Sequence, residues 1–367
     1  PKITTEGRIT QKAIADQLGV SRQLVGFALR GEGRMSDALR QKILEVARQN
    51  GYHQFSNGEA RLMVSRRYGK RVASGVLAVL FHATFEGQPL SSVPFFTSFF
   101  IGLENEAKEC GIELVLCPLR SDDLPLLVRE SWVDGVICLL TPEAAALRVR
   151  ELALPVLSIQ YEAPGVPSLL IDESGGTTLT TRHLLELGHR RIAYLGLAEK
   201  ATPIAEQRLT GYLRALHENG LPVAPELLDV TLTRTTMQAG ADAMERMLRR
   251  CRARQPARTR QSPPGFSALV CYNDMIAMGA IRVLKEAGWQ VPADVSVAGF
   301  DDVSVQHGFS PALTSVSFPR QEMGRRAVQL LCDQHKEIAN ADCQDQIERF
   351  PVRLVVRDST APAGGVR

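Results

Sequence analysis

Residues 9–52, ITQKAIADQLGVSRQLVGFALRGEGRMSDALRQKILEVARQNGY, read as three short helices with a tight turn between the first two. Thr10 can cap a helix whose Ala13, Ile14 and Leu18 fall at helical spacing, and Gly19 supplies the permissive backbone that ends it. Ser21 caps the second helix. At about 100° per residue, Leu24, Val25, Ala28 and Leu29 share one arc, and Gln23, Gly26, Phe27 and Arg30 share the opposite one. The first arc is core. The second, with Arg22 in the first turn, carries two arginines, an amide and a bare phenylalanine. Arginine and glutamine make bidentate pairs with guanine and adenine edges, and an aromatic ring rests against thymine methyls. A helix of this make-up is suited to a major groove. Ser36 caps a third helix whose Leu39, Ile43, Val46 and Ala47 close the small core.

Charge follows the same division. Residues 1–71 hold 14 Lys and Arg against 6 Asp and Glu, whereas the remainder holds 29 against 34, so the footprint of a polyanion ligand is confined to the N-terminal part. At 367 residues, with 44% apolar and 23% charged residues, two or three globular units are expected. No run approaches a membrane span and no export signal is visible, so the chain is expected in the cytoplasm, away from membranes. Seven cysteines without a CxxC pair or a histidine grouping argue against disulfides and a metal site.

Residues 1–54 are expected to form the helix-turn-helix headpiece and 55–73 a polar linker, with four basic residues among positions 66–71. Such a segment orders on DNA or stays solvated. In the first case basic groups meet phosphates and Leu62 or Met63 wedges between base steps. From Ser74 onward, apolar runs such as GVLAVLF, DGVICLL and PVLSIQ alternate with helical patterns near 94–110, 124–132, 142–152, 177–187, 204–219, 237–251 and 275–287. That is too many βα units for one ordinary sheet. The expected fold is an all-α headpiece followed by an α/β core, residues 74–367, of two doubly wound lobes facing a cleft. Ligands in such sheets lie beyond the carboxyl ends of the strands, which selects Phe81, Phe95, Tyr161, Asp172, Arg208, Asn273 and Asp301. An arginine, an amide and a carboxylate there offer the mixed donors and acceptors that a polyol needs. Each also has a structural use: Asp172 and Asn273 as helix caps, Asp301 as a turn cap, Arg208 as a partner of Glu206.

Asp172 with HLLELGHRRIAYLG (183–196), the pair Gly211–Tyr212, ALVCYNDMIAMGAIRVLKEAGWQVPADVSVAGFDD (268–302), PALTSV (311–316) and PVRLVVRDST (351–360) resemble the lactose/galactose repressor family of bacterial transcription regulators. The resemblance covers nearly the whole chain. It implies a homodimer on a pseudo-palindromic operator, a hinge helix in the minor groove, and a core like periplasmic sugar-binding proteins with three crossovers between lobes. The lobes would divide at about 74–174 with 313–343, and 175–312 with 344–367. It implies DNA contacts from Thr10, Ser21, Arg22, Gln23, Gly26, Phe27 and Arg30, with Arg61, Leu62 and Met63 in the hinge. It also implies effector contacts from Arg208, Asn273 and Asp301 and a sugar or sugar derivative as the small-molecule effector, against which Phe81, Phe85, Phe95, Tyr161 or Tyr272 would stack. Phe27 stands where the family often has arginine, Gly26 where it often has serine, and Ala60-Arg61-Leu62-Met63 where it usually has Ala-Arg-Ser-Leu.

An enzyme with a two-lobed core would need a chemical motif. There is no GxxxxGK[ST], no GxSxG, no HExxH and no glycine-rich dinucleotide fingerprint after a strand, and no cofactor is implied. A sugar-binding protein without operator function would share the core but have no use for the basic headpiece.

Overall fold

The computed structural model describes residues 11–30, 35–49, 74–82, 94–119, 123–198, 202–254, 265–303, 308–337 and 346–364. Three helices come first: α1 (Gln11–Leu18), α2 (Arg22–Arg30) and α3 (Asp37–Gln49). Gly19 ends α1 in the left-handed region at φ 66°, which a residue without Cβ adopts at little cost. Ser21 and Ser36 are the expected caps: Leu24 N donates to Ser21 Oγ at 3.2 Å and Leu39 N to Ser36 Oγ at 3.3 Å. Ile14, Ala15, Val25, Ala28, Ile43 and Ala47 form the buried centre of this unit.

The second unit contains two six-stranded sheets. Its elements are β1 (Val76–His82), α4 (Pro94–Glu109), β2 (Glu113–Leu119), α5 (Leu126–Arg129), β3 (Gly135–Leu139), α6 (Glu143–Glu151), β4 (Val156–Ile159), β5 (Ser168–Ile171), α7 (Glu173–Glu186), β6 (Ile192–Leu197), α8 (Pro203–Glu218), β7 (Leu228–Leu232), α9 (Met237–Arg254), β8 (Ala268–Cys271), α10 (Asp274–Glu286), β9 (Ser296–Phe300), β10 (Thr314–Ser317), α11 (Arg320–Glu337), β11 (Ile347–Phe350) and β12 (Arg353–Val355). The first sheet runs β11-β5-β4-β3-β1-β2, all parallel. The second runs β12-β10-β9-β8-β6-β7, parallel except for the edge strand β12.

Both faces of each sheet are covered, which is why the central strands read as unbroken apolar runs. On β1, Leu77 and Val79 join one core cluster with α4 and α11, while Ala78 and Leu80 join another on the opposite face. On β6, Ala193 and Leu195 pack toward α9 and α10, while Ile192 and Tyr194 pack with Leu209 and Tyr212 of α8. In each lobe a helix pair touches backbone to backbone through glycine. A Cβ on Gly102 of α4 would overlap the Gln321 carbonyl of α11, and one on Gly279 of α10 would overlap the Met237 carbonyl of α9.

The chain passes between lobes three times, after β5, after β10 and after β11. Two of these points correct the expected division at 312/313 and 343/344. β10 stays in the second lobe because Thr314 to Val316 pair with Ala298 to Phe300, and β11 belongs to the first because Ile347 to Phe350 pair with Ser168 to Ile171. Sheet membership is set by pairing partners far away in sequence, which local patterning does not carry. The helix expected from residue 177 begins at Glu173, since Asp172 Oδ1 accepts from Gly175 N at 2.7 Å. Gly175 and Gly176 look like breakers, but Gly176 is needed inside the helix, where a Cβ would stand 2.6 Å from the Phe300 ring. The helix expected over 124–132 is only the single turn α5.

Candidate functional site: an interlobe cleft and an exposed headpiece helix

The carboxyl ends of the strands of both lobes line a cleft of about 1370 Å³. Leu140 follows β3, Gln160 and Tyr161 follow β4, Glu173 follows β5, Asn273 follows β8 and Asp301 follows β9. Three of these residues hold a backbone conformation that L-amino acids avoid: φ is 51° at Leu140, 73° at Gln160 and 97° at Asp301. Each costs on the order of 1–3 kcal/mol and persists only where the surroundings enforce it. At Asp301 the enforcement is visible, because Arg320 donates through Nη1 to the Asp301 carbonyl and through Nη2 to the Asp302 carbonyl at 2.9 Å.

Arg208, on α8 and only 4% exposed, is the hub of the cleft wall. Its Nε donates to Glu173 Oε2 at 2.7 Å, Nη1 to the Tyr272 carbonyl at 2.6 Å and Nη2 to Asp301 Oδ1 at 3.0 Å. The guanidinium lies over Phe300, 3.7 Å from the ring centroid, and 4.6 Å from that of Tyr272. Burial opposes its charge, but Glu173 and Asp301 outweigh burial and the group stays cationic. Burial raises the Glu173 carboxyl above the ordinary range, and the opposing attraction of Arg208 only partly offsets this. Asp274 is pushed up more strongly, by burial first and by neighbouring Asp301 second, while Ser315 Oγ at 2.5 Å and Val303 N at 2.8 Å donate to it.

Of the expected effector residues, Phe95, Tyr161, Arg208, Tyr272, Asn273 and Asp301 line this cleft, and Phe85 lies outside the described residues. Asn273 is also a helix cap, accepting from Ile276 N at 3.1 Å through Oδ1. Arg208 pairs with Glu173 rather than with Glu206. Tyr161 has its hydroxyl pKa raised by burial, with a side-chain hydrogen bond to Thr202 acting the other way. Phe81 is not in the lining; it is buried within β1, one residue short of the strand's end. Glu173, not among the expected residues, directly follows Asp172 beyond β5 and falls under the same strand-end rule as the others.

In the headpiece, Ser21, Arg22 and Gln23 are exposed at the head of α2 and Phe27 is half-buried. Gly26 corrects the expected outward arc, since it is buried. It sits one helical step from Val25 and close to Leu29 around the helix, and it has no side chain with which to reach outward. Arg30 ends α2. Thr10, Arg61, Leu62 and Met63 lie outside the described residues, as does the whole 55–73 linker.

A helix-turn-helix module in one chain with two parallel-sheet lobes around a cleft of apolar and charged side chains defines a class of protein: a ligand-binding body of the periplasmic type coupled to a headpiece of the DNA-reading type. Residues 181–360 match the periplasmic binding protein-like domain. The chain is 26% identical over 365 residues to the HTH-type transcriptional regulator DegA of Bacillus subtilis, covering 95% of this chain and 97% of that protein. Among solved structures, it is similar to the transcriptional regulator CelR–cellobiose complex at 25% identity and a TM-score of 0.65, covering 96% of this chain and all of that one. It is also similar to a LacI family transcriptional regulator from Enterococcus faecium with bound ribose, at 26% identity and a TM-score of 0.64, covering 78% of this chain and 99% of that one. The chain is thus similar, over nearly its whole length, to HTH-type and LacI family transcriptional regulators.

Proposed function

We propose that this protein is a sequence-specific DNA-binding transcriptional regulator, a repressor in sign, whose operator affinity is set by a small polyhydroxylated molecule in the interlobe cleft. The observation that carries the reading is the exposed Arg22–Gln23 pair at the head of a serine-capped second helix, in a chain that also holds a cleft to which Arg208, Asn273 and Asp301 bring polar groups. Residues 1–54 act as the headpiece, and residues 55–73 as the linker, with Arg61 at phosphate and Leu62 or Met63 at a base step. The regulator works in the cytoplasm as a homodimer on a pseudo-palindromic site, which places two recognition helices in successive major grooves. The sugar-bound relatives support a sugar or sugar derivative as effector. Among the described residues no helix is long and apolar enough to cross a membrane, and no cluster of side chains is arranged to hold a metal ion.

The mechanism is linkage. A ligand that touches both lobes favours one relative angle of the lobes, and DNA favours another or the same one, so the two binding events are coupled by about 1–3 kcal/mol. Enrichment of bound duplexes from a random pool at physiological ionic strength, with and without cellobiose or ribose, tests this. The expected result is a pseudo-palindromic consensus whose affinity falls steeply with salt. No enrichment over random duplex under either condition would overturn the proposal.

A further inference from the structure

Glu173 is 3% exposed and lines the cleft, yet only one of its two carboxylate oxygens is used. Oε2 accepts from Arg208 Nε at 2.7 Å, whereas Oε1 is buried with no hydrogen-bond partner among the described residues. A buried carboxylate oxygen left unpaired is costly, and a group that supplies the missing donor recovers that cost. The surrounding wall does not supply one. Three donors of Arg208 are engaged by Glu173, Asp301 and the Tyr272 carbonyl, and both Nη atoms of Arg320 are spent on the carbonyls of Asp301 and Asp302. The wall beside Arg208 therefore holds the carboxyl groups of Glu173 and Asp301 on one guanidinium whose charge they share, with Asp274 held by Ser315 and Val303; Arg234 and Arg349 also line the cleft, and neither reaches Glu173 Oε1.

Resting on the regulatory reading above, we propose that Glu173 is a specificity-determining residue of the cleft: it requires a hydrogen-bond donor from the effector, taking a neutral hydroxyl or an ammonium group at Oε1 and rejecting an anionic group there. An anionic group in the same place would face Glu173 and Asp301 at short range in a water-poor wall. It would find Arg208 already committed to them. A neutral hydroxyl or an ammonium group there satisfies Oε1 and meets no like charge. The elevated carboxyl pKa of Glu173 agrees with this, because a donor that stabilises the ionised form is what the ligand-free wall lacks.

The test uses the full chain and Glu173→Gln. Arg208 Nε fixes which way the amide can sit: its oxygen must face the guanidinium, so its NH₂ takes the place of Oε1 and the hydrogen-bond polarity toward the ligand is reversed. The probes are ribose, cellobiose, glucosamine, glucuronate and glucose 6-phosphate at millimolar concentration, read by thermal shift and then by calorimetric titration. A neutral or amino sugar is expected to give the largest shift on the natural protein. Its affinity should fall about 10- to 100-fold in Glu173→Gln, the fold-change of a hydrogen bond to a charged group. Glucosamine, which cannot accept a hydrogen bond through its ammonium, should lose most. If Glu173→Gln fails to fold by circular dichroism, Glu173→Asp, which withdraws the carboxylate by one methylene, serves with the same expectation. The proposal is overturned if an anionic sugar gives the largest shift, if the variant binds as the natural protein does, or if none of the five shifts it. Duplex selection without sugar judges the regulatory reading independently.

Discussion

Arg208 and Asp301, 93 positions apart in sequence, meet at 3.0 Å in the wall of the cleft, both almost fully buried. With Glu173 on the other side of the guanidinium, the arginine neutralises two almost fully buried carboxylates. Arg208→Ala would leave both uncompensated, and breaking a buried pair in this way costs about 3–5 kcal/mol. Urea unfolding should show that loss together with loss of any sugar response. Arg208→Lys should recover only part of it, since an ammonium cannot hold three acceptors in the plane of a fork. A loss below about 1 kcal/mol for Arg208→Ala would mean that the wall relaxes and that the triad is not the organising contact.

The glycine crossings give a prediction about the scaffold. Gly102→Ala and Gly279→Ala each push a methyl into a carbonyl of the partner helix, so α4 and α11, or α9 and α10, must part. The expected cost is about 1–3 kcal/mol for each. Gly308→Ala is the control, because nothing lies within 4 Å of a Cβ there, and it should fall within about 0.5 kcal/mol of the natural protein. Equal melting temperatures for all three variants would remove close helix approach as the role of these glycines.

Alternating apolar strands and amphipathic helices were legible in the sequence because both faces of each parallel sheet are buried, and the rule that ligands lie beyond strand ends led to Tyr161, Arg208, Asn273 and Asp301. What stayed illegible depends on partners distant in sequence. Arg208 could be assigned to Glu206 from its own helix, whereas its partners come from the first turn of α7 and the end of β9. Phe81 follows the strand-end rule but stays one position inside β1. Glu173 falls outside a helix drawn from residue 177, whereas the helix begins at Glu173 and lies against Phe300 through Gly176. Burial of Gly26 depends on helix packing that a helical wheel drawn for one helix does not contain.

Asn273 has two uses that can be separated. Its Oδ1 accepts from Ile276 N and caps α10, which leaves the amide NH₂ as the group able to donate to a ligand. Asn273→Ala should cost about 1 kcal/mol through the lost cap as well as weakening sugar binding. Asn273→Asp keeps the acceptor and has no donor, so it should melt closer to the natural protein than the alanine variant while binding sugar as poorly. Undiminished sugar binding by Asn273→Asp would assign the residue to the cap alone.

Burial raises the carboxyl pKa of Glu173 in the folded protein, with Arg208 opposing. The folded state then holds a proton at pH values where the unfolded chain, with an ordinary value of about 4.3, has released it. Stability contributed by this group is therefore present below that value and declines as pH rises through the folded pKa. Glu173→Gln does not titrate. The gap in melting temperature between variant and natural protein, measured without sugar from about pH 4 to about pH 8, should shift in favour of the variant as pH rises and then level off. Other carboxylates titrate alike in both proteins and cancel in the difference. A gap that stays flat, or moves toward the natural protein, would mean that Arg208 fully compensates the buried charge, and that Oε1 places no demand on what enters the cleft.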